Sequence, residues 1–296
     1  PMFREIAFST GMVKPAEGAI LYGGTSTATG VVKRVVTRTG SWGSTAQGYF
    51  VIDVTSGTFQ NGEALKLTNG AGAVQATSTS TANTISFAPS GSFEFANYNF
   101  TGSTDTYRMY GCDGQNPAFE FDGTTLCFIR TGMTADTPTH LATHQNYLFL
   151  SFRGSLQNSA IGDPYAWTLL AGSSEIGTGD DITALLPQPG DANNASMSIF
   201  TNHSTKTLYG VTASSWKLVT DSPTTGGAVR TAQDIGAAYT LAERGVQQIK
   251  TTNAFGDFQY STITGQVQPM INRLRGTAIA STVYKERNQY RIFYSN

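Results

Sequence analysis

Short stretches in which apolar and polar residues alternate recur along most of the chain. In "GYFVIDV" the side chains of Phe50, Ile52 and Val54 alternate with their neighbours, and "ALKLT" and "TISFAP" repeat the pattern. Alternation with a period of two is typical of strands with one buried face. Helical periodicity is limited to one short segment, Pro269–Leu274. The pattern therefore predicts an all-β protein.

The connections between the early strands predict a separate module. "TSGTFQNGE", "TNGAGA" and "STSTAN" are rich in small residues that favour tight turns. We predict that residues 43–91 form a small all-β module inserted into a loop of a larger domain, because surface loops tolerate such insertions. Residues 1–42, with "GMVKPAEGAILYGG" and "VVKRVVTRTG", would then supply the first strands of that domain, and residues 92–296 the remainder.

From residue 92 onward, aromatic residues become dense and strand pairs recur. Apolar strands are joined across the polar turns "DGT", "NHSTK", "ERG" and "KERNQ". Recurring β-meanders at this spacing are typical of propeller blades, so we predict a β-propeller. Each blade is covered by its two neighbours. The last hairpin, in "TVYKERNQYRIFYSN", therefore needs a further blade or a returning strand, and we expect the propeller to be incomplete within this chain.

The composition argues against a protein that binds nucleic acid tightly. Charged residues make up 13% of the chain, and 19 basic residues nearly balance 20 acidic ones. Tight phosphate binding requires a basic excess. Two local basic groups are interpreted as solvated strand faces or ordinary ion pairs. They are Lys33, Arg34 and Arg38, and Arg273, Arg275, Lys285, Arg287 and Arg291.

Two further features concern targeting. No apolar run is long enough to span a membrane. The opening "PMFREIAFSTGM" lacks the apolar core of a signal peptide. We therefore expect neither a membrane span nor export, and we expect Cys112 and Cys127 to be reduced and part-buried, with a disulfide as the alternative.

The histidines and paired acidic residues suggest few sites. His140 and His144 are four residues apart but lead into a strand and lack further ligands, so turn or core positions are favoured over a metal site. His203 is predicted in an exposed turn. Asp180 and Asp181 are adjacent, and neighbouring side chains on an extended segment diverge. A calcium site or a negative ring around a channel remains open for them, whereas a pair of catalytic carboxylates is disfavoured.

Large aromatic residues are interpreted as structural anchors of the sheets. These are Trp167, Trp216, Tyr147 and Tyr290. A sugar platform at Trp167 and Trp216 is the alternative. Nucleophile-elbow, phosphate-loop, zinc-protease and dinucleotide-binding motifs do not occur. We predict no catalytic residue, no cofactor and no metal, and hence a protein that is not an enzyme.

The order of several stretches resembles one known family. They are "HQNYLFLSF", "SAIGDPYAWTLL", "GDDITALLPQPGD", "MSIFTNHSTKTLYGVTASSWKLVTDSPTTGGAV", "RGVQQIKTTNAFGDFQYSTITGQVQP" and "YKERNQYRIFYSN". In this order and spacing they resemble the tail nozzle, or tail tubular B-type, proteins of short-tailed bacteriophages, a group that includes packaged-DNA stabilisation proteins. The resemblance covers Thr139–Asn296 and extends to Tyr107–Ile129.

The resemblance implies a function in the virion. Family members are propeller subunits of a ring, commonly six-fold, below the portal and its adaptor, which retains DNA and conducts it at ejection. It implies a homo-oligomer in the virion tail, assembled in the host cytoplasm, which contacts portal, adaptor and other tail proteins, and transiently genomic DNA. A carbohydrate-binding or carbohydrate-cleaving propeller of a tail spike, and a portal-proximal plug, are the alternatives. Residues expected at the channel or at a subunit interface are Asp180, Asp181, Arg273, Arg275, Lys285 and Arg287.

Overall fold

Antiparallel strands make up most of the regular structure. The computed structural model describes residues 3–188, 196–251 and 258–295, in which the strands form five sheets of four or more strands and one hairpin. The all-β prediction is confirmed. Helix α1 (Gln268–Leu274) lies where the sequence predicts it, with a proline in its first turn. Short 3-10 turns occur at Thr104–Thr106, Leu169–Ala171, Gly265–Val267, Arg275–Thr277 and Lys285–Arg287.

The first sheet closes on itself. Its strands are β1 (Phe3–Gly11), β2 (Ile20–Gly23), β3 (Thr29–Thr39), β4 (Ala46–Ser56), β5 (Ala64–Lys66), β6 (Val74–Ser78) and β7 (Asn83–Thr84). Strand β1 pairs with β4 along one edge and with β6 and β7 along the other, so six strands form a closed barrel and β7 extends beyond it. Closure leaves few open edges. Side chains such as Ile6, Phe8, Leu21, Phe50 and Ile52 fill the interior and are at most 2% exposed.

The predicted boundary between residues 42 and 43 is wrong. Strands on both sides of it belong to the barrel sheet, and β3 pairs with β4 from Thr29 to Thr39. The intervening "GSWGS" is the turn of this hairpin, in which Gly40 has a φ of +73° and Trp42 packs 5.2 Å from the ring of Phe8. Residues 1–42 therefore do not begin a propeller separate from a 43–91 module, because the two segments share one hydrophobic core.

A second sheet packs outside the barrel. Its strands are β8 (Glu94–Tyr98), β9 (Arg108–Cys112), β10 (Phe119–Phe121) and β11 (Leu126–Phe128). Cys127 of this sheet packs with Val36, Tyr49 and Val51 of the barrel. Residues 1–137 and 159–173 form one compact unit, so this sheet belongs with the barrel, although the sequence predicts residues 92–296 as one domain.

The second compact unit comprises residues 138–158 and 174–296. Its four-stranded sheets follow chain order and are listed here with the hairpin that follows them: β12 (His140–His144), β13 (Tyr147–Phe152), β14 (Ser155–Asn158) and β15 (Ser174–Gly177); β16 (Ile182–Pro187), β17 (Met197–Thr201), β18 (Thr205–Tyr209) and β19 (Lys217–Ser222); β20 (Gln233–Asp234), β21 (Ala238–Ala242), β22 (Gly245–Thr251) and β23 (Phe258–Thr262); β24 (Ala278–Tyr284) and β25 (Gln289–Tyr294). The hairpins predicted across "NHSTK", "ERG" and "KERNQ" are confirmed, as is the one across "DGT" in the second sheet.

Within this unit, each sheet packs against the next along the chain. Phe149 and Leu156 of the β12–β15 sheet share a core with Ile199 and Leu208 of the β16–β19 sheet. Phe200 on the β16–β19 sheet contacts Ala238 and Ile249 of the β20–β23 sheet. Leu241 and Val246 of that sheet pack with Ile271 of α1 and with Tyr290 and Ile292 of β25. The first strands of neighbouring sheets also lie near each other in two places, where β12 contacts β16 and where β20 contacts β24.

Candidate functional site: the β24–β25 hairpin and its cavity

The β24–β25 hairpin turns through residues whose conformation suits a tight reversal. Lys285–Arg287 form one 3-10 turn, and Asn288 follows in the left-handed region with a φ of +51°. Asparagine tolerates this region better than most residues. The alternation of β25 is confirmed: Tyr290, Ile292 and Tyr294 are half-buried, whereas Arg291 and Phe293 are exposed.

The half-buried face of β25 borders a cavity of about 460 Å³. Among its walls are the side chains of Tyr239, Val246, Ile271, Tyr290, Ile292 and Tyr294. Tyr290 is fixed there because its hydroxyl donates to Thr231 O at 2.6 Å and its ring stacks on Tyr239 at 6.0 Å. Burial raises the pKa of Tyr290, so its hydroxyl stays protonated and remains a donor. The cavity is thus a mainly apolar site with three tyrosine side chains in its walls.

The other face and the outer edge of the hairpin have no cover within the part of the chain that the structure describes. Strand β25 pairs there with β24 alone, whereas the three preceding sheets each contain four strands. On the outer face, Ile279 and Phe293 are 55% and 49% exposed. Unpaired strand edges and exposed apolar side chains are typical of protein–protein contact surfaces.

The predicted basic residues surround this hairpin. Arg273 lies in the last turn of α1, and Arg275 follows it, 3.9 Å from Glu243. Lys285 and Arg287 occupy the turn, with the guanidinium of Arg287 5.9 Å from the ring of Tyr284. The four predicted basic residues therefore flank the two ends of β24: Arg273 and Arg275 precede it, and Lys285 and Arg287 follow it in the turn.

Asp180 and Asp181 lie elsewhere in the same unit and face different partners. Asp180 Oδ2 accepts the backbone N–H of His203 at 2.9 Å and lies 3.0 Å from its Nδ1. Asp181 lies 3.8 Å from the guanidinium of Arg153. His203 is exposed, as predicted. The two carboxylates diverge, so they do not form the convergent pair that catalysis would need.

The predicted anchors have different environments. The indole of Trp216 packs 4.9 Å from Tyr147 and 5.0 Å from Phe149, beside the core that joins two sheets. Trp167 is half-buried and donates its indole N–H to Pro164 O at 2.9 Å. The ring of Trp216 is therefore packed within the fold, and Trp167 is half-buried with its indole N–H bonded.

The remaining candidate ligands are buried. His140 and His144 are 2% and 5% exposed, and burial lowers the pKa of His144 to about 4. Cys112 and Cys127 are free thiols, as predicted, and are fully buried rather than part-buried. In the ranges 3–188, 196–251 and 258–295, no three His, Cys, Asp or Glu side chains converge closely enough to hold a metal ion. None of the described helices could cross a membrane.

A buried ionic cluster in the first unit was not predicted. The guanidinium of Arg34 lies 2.7 Å from Asp122, 3.0 Å from Glu120 and 3.2 Å from Glu17. Burial raises the pKa of Glu120, although Arg34 and Arg108 lower it. The cluster joins the barrel to the second sheet. Its members are far apart in the sequence, and only the general expectation of ion pairing for Arg34 pointed towards it.

Comparison with known proteins supplies no identity: no protein-family model matches the chain, and no curated protein matches it. The proposals below therefore rest on the sequence motifs and on the geometry described above.

Proposed function

We propose that this chain is a non-enzymatic structural subunit of a bacteriophage tail nozzle, in which propeller-like subunits form a ring that retains DNA and conducts it at ejection. The packing in the second unit supports the propeller. Successive four-stranded meanders share buried cores in chain order, and the first strands of the first two, β12 and β16, lie near each other. This is the packing expected of neighbouring blades.

The uncovered hairpin is the observation that carries the assembly proposal. Its open β25 edge and the exposed Ile279 and Phe293 on its outer face are available to a neighbouring subunit, whereas the cavity lies on the opposite face. Interface centres are apolar and depleted in charge, and their rims are polar. Arg273, Lys285 and Arg287 would form such a rim. A near-neutral chain also suits a channel, because strong phosphate pairing would hold back moving DNA.

Localisation tests the proposal on the intact protein in the phage that encodes it. We expect antibody labelling at the tail and a ring in class averages viewed along the tail axis. Phage lacking the protein should package DNA but lose it to nuclease, since retention fails. Intact protein that is a monodisperse monomer and is missing from purified virions would contradict the proposal.

A paired substitution tests the hairpin surface. Phe293→Asp should abolish assembly of the intact protein, measured by light scattering, because it places a charge at the centre of the proposed contact. Val13→Asp is the matched control, since Val13 is 59% exposed in a loop of the other unit. Equal assembly of both variants, with unchanged melting temperatures, would exclude the hairpin as the contact.

The carbohydrate hypothesis stays an alternative prediction. Glycan binding that is lost in Trp167→Ala and retained in the wild type would favour it over a nozzle. The half-buried positions of both indoles do not favour it.

A further inference from the structure

A second, polar cleft lies on the outside of the barrel in the first unit. Its volume is about 400 Å³. Strands β1, β3 and β4 form the floor, with Glu5, Arg38 and Tyr49 among the lining residues, and Arg130 lies on the segment that follows β11. We call it the Arg38–Arg130 cleft. Its size falls within the range of small-molecule sites.

Arg38 is the unusual residue of this cleft. It is half-buried, and its guanidinium makes no hydrogen bond or ion pair with any residue in the described ranges. A guanidinium carries five N–H donors in a fixed plane that matches the oxygens of a carboxylate or phosphate. No guanidinium nitrogen of Arg38 is among the buried described atoms that lack a partner, so water reaches the group, and an anion in the cleft would replace that water with a charged acceptor.

Arg130 supplies a second guanidinium at the same cleft. Its Nη2 lies 3.3 Å from both carboxylate oxygens of Glu5, and its guanidinium carbon lies 5.2 Å from the ring centroid of Phe128. The contact with Phe128 orients the group, while the contact with Glu5 is long for a charge-assisted hydrogen bond. Arg130 thus retains donors that can face a ligand.

Two acidic side chains, Glu5 and Asp136, lie near the arginines of the cleft. Glu5 is the carboxylate in its lining, and burial raises its pKa although Arg130 and Arg38 lower it. Asp136 does not line the cleft, but its charge interacts with both arginines, and its oxygens accept the N–H and hydroxyl of Thr131 at 2.9 and 2.7 Å. Thr39, Gln47 and Thr79 add neutral donors to the walls. The two arginines therefore lie near two carboxylates, of which only Glu5 lines the cleft, and the case for a ligand rests on the unused guanidinium donors of Arg38.

We propose that the Arg38–Arg130 cleft binds the phosphate or carboxylate group of a small organic anion, with Arg38 as the bidentate donor and Arg130 as the second cation. The hydroxyl and amide groups of Thr39, Gln47 and Thr79 would contact the rest of the ligand. This site is independent of the nozzle proposal, because it lies in the other compact unit and involves none of the hairpin residues.

Calorimetric titration of the intact protein with inorganic phosphate and with citrate, at constant ionic strength, tests the site. Saturable binding of either probe is expected, and the better probe identifies a phosphate or a carboxylate as the preferred group. Arg38→Gln should weaken binding by about tenfold or more, because it removes a charged bidentate donor. Lys14→Gln is the matched control, since Lys14 is exposed and does not line the cleft. It should leave affinity unchanged.

Glu5→Gln should change the affinity for the anion in the direction opposite to Arg38→Gln. Removing the lining carboxylate frees Arg130 and raises the local positive charge, so binding should tighten several-fold. If Arg38→Gln fails to fold, Arg38→Lys keeps the charge and loses the planar fork, and should still bind more weakly. The proposal is overturned if neither probe binds the wild-type protein at about 10 mM. It is equally overturned if a folded Arg38 variant binds as tightly as the Lys14 control.

Discussion

Replacing Glu63 by Gln should destabilise the barrel, because one buried carboxylate holds two loops together. Glu63 is 4% exposed. Its Oε2 accepts the backbone N–H groups of Thr25 and Ser26 at 3.1 and 2.9 Å. Its Oε1 accepts the Ser26 hydroxyl at 2.9 Å and the Gln60 N–H at 2.7 Å. A carboxylate accepts at both oxygens, whereas an amide has one oxygen and one NH₂ group.

Glu63→Gln therefore loses two acceptor contacts and places an NH₂ group against two donors. A hydrogen bond to a charged group contributes about 1.5–3 kcal/mol, so the variant should lose roughly 3 kcal/mol of unfolding free energy at neutral pH. Burial alone would raise the pKa of Glu63, but the donors of Ser26, Gln60 and Thr25 outweigh it and lower the pKa below 4.5. The carboxylate's stabilisation is therefore present above pH 4.5 and lost as the pH falls through the lowered value.

Urea unfolding of the barrel measures this loss. In a Trp167→Phe, Trp216→Phe background, the fluorescence of Trp42 reports on the barrel core, against which it packs. Glu175→Gln is the control, because Glu175 is exposed and accepts one bond, from the Ser155 hydroxyl at 2.6 Å. It should change stability by less than about 0.5 kcal/mol. A Glu63→Gln midpoint equal to that of the control, or an equal deficit at acid and neutral pH, would refute the reasoning.

Three further outcomes are expected. Phe200→Ala should lower the free energy of unfolding in urea by about 3–5 kcal/mol, because Phe200 is fully buried between two sheets. Leu170→Ala should leave the free energy of unfolding almost unchanged, because Leu170 is fully exposed. Stability should fall from pH 6.5 towards pH 4, by up to about 3 kcal/mol, because the unfolded state protonates His144 while the folded state, with its pKa lowered to about 4, does not. A His144→Gln variant with the same pH slope would contradict this. Cys112 and Cys127 should react with a thiol reagent only after unfolding, and labelling of the native protein would contradict their burial.

Local patterns were sufficient for the hairpins of the second unit. Each predicted turn there joins strands that are adjacent in sequence, so pairing follows from alternation and turn chemistry alone. The "ERG" turn, for example, ends at Gly245, which has a φ of +106°, begins β22 and pairs with Ala242. Helix α1 was also predictable, because Pro269 marks a helix start.

The barrel could not be predicted in the same way. Its closure depends on the pairing of β1 with β4 and β6, and a period of two is the same in a barrel strand as in a meander strand. Both faces of β4 are covered, since Phe50 points into the barrel core and Tyr49 packs outside it. Alternation identified the strand but not which sheet it joins. The change in aromatic density after residue 91 does coincide with a change of sheet, because β7 ends at Thr84 and β8 begins at Glu94, whereas the boundary at residue 42 falls inside one sheet.

Arg34 and Arg38 show why a functional site needs the tertiary structure. They lie four residues apart on β3, in one basic stretch. Arg34 contacts three carboxylates within 3.2 Å, so its charge is neutralised and its role is to join the barrel to the second sheet. Arg38 faces a cleft in which the lining carboxylate is already paired with Arg130. Identical side chains on one strand thus differ in whether a carboxylate contacts the guanidinium directly, and an added anion is expected only where none does.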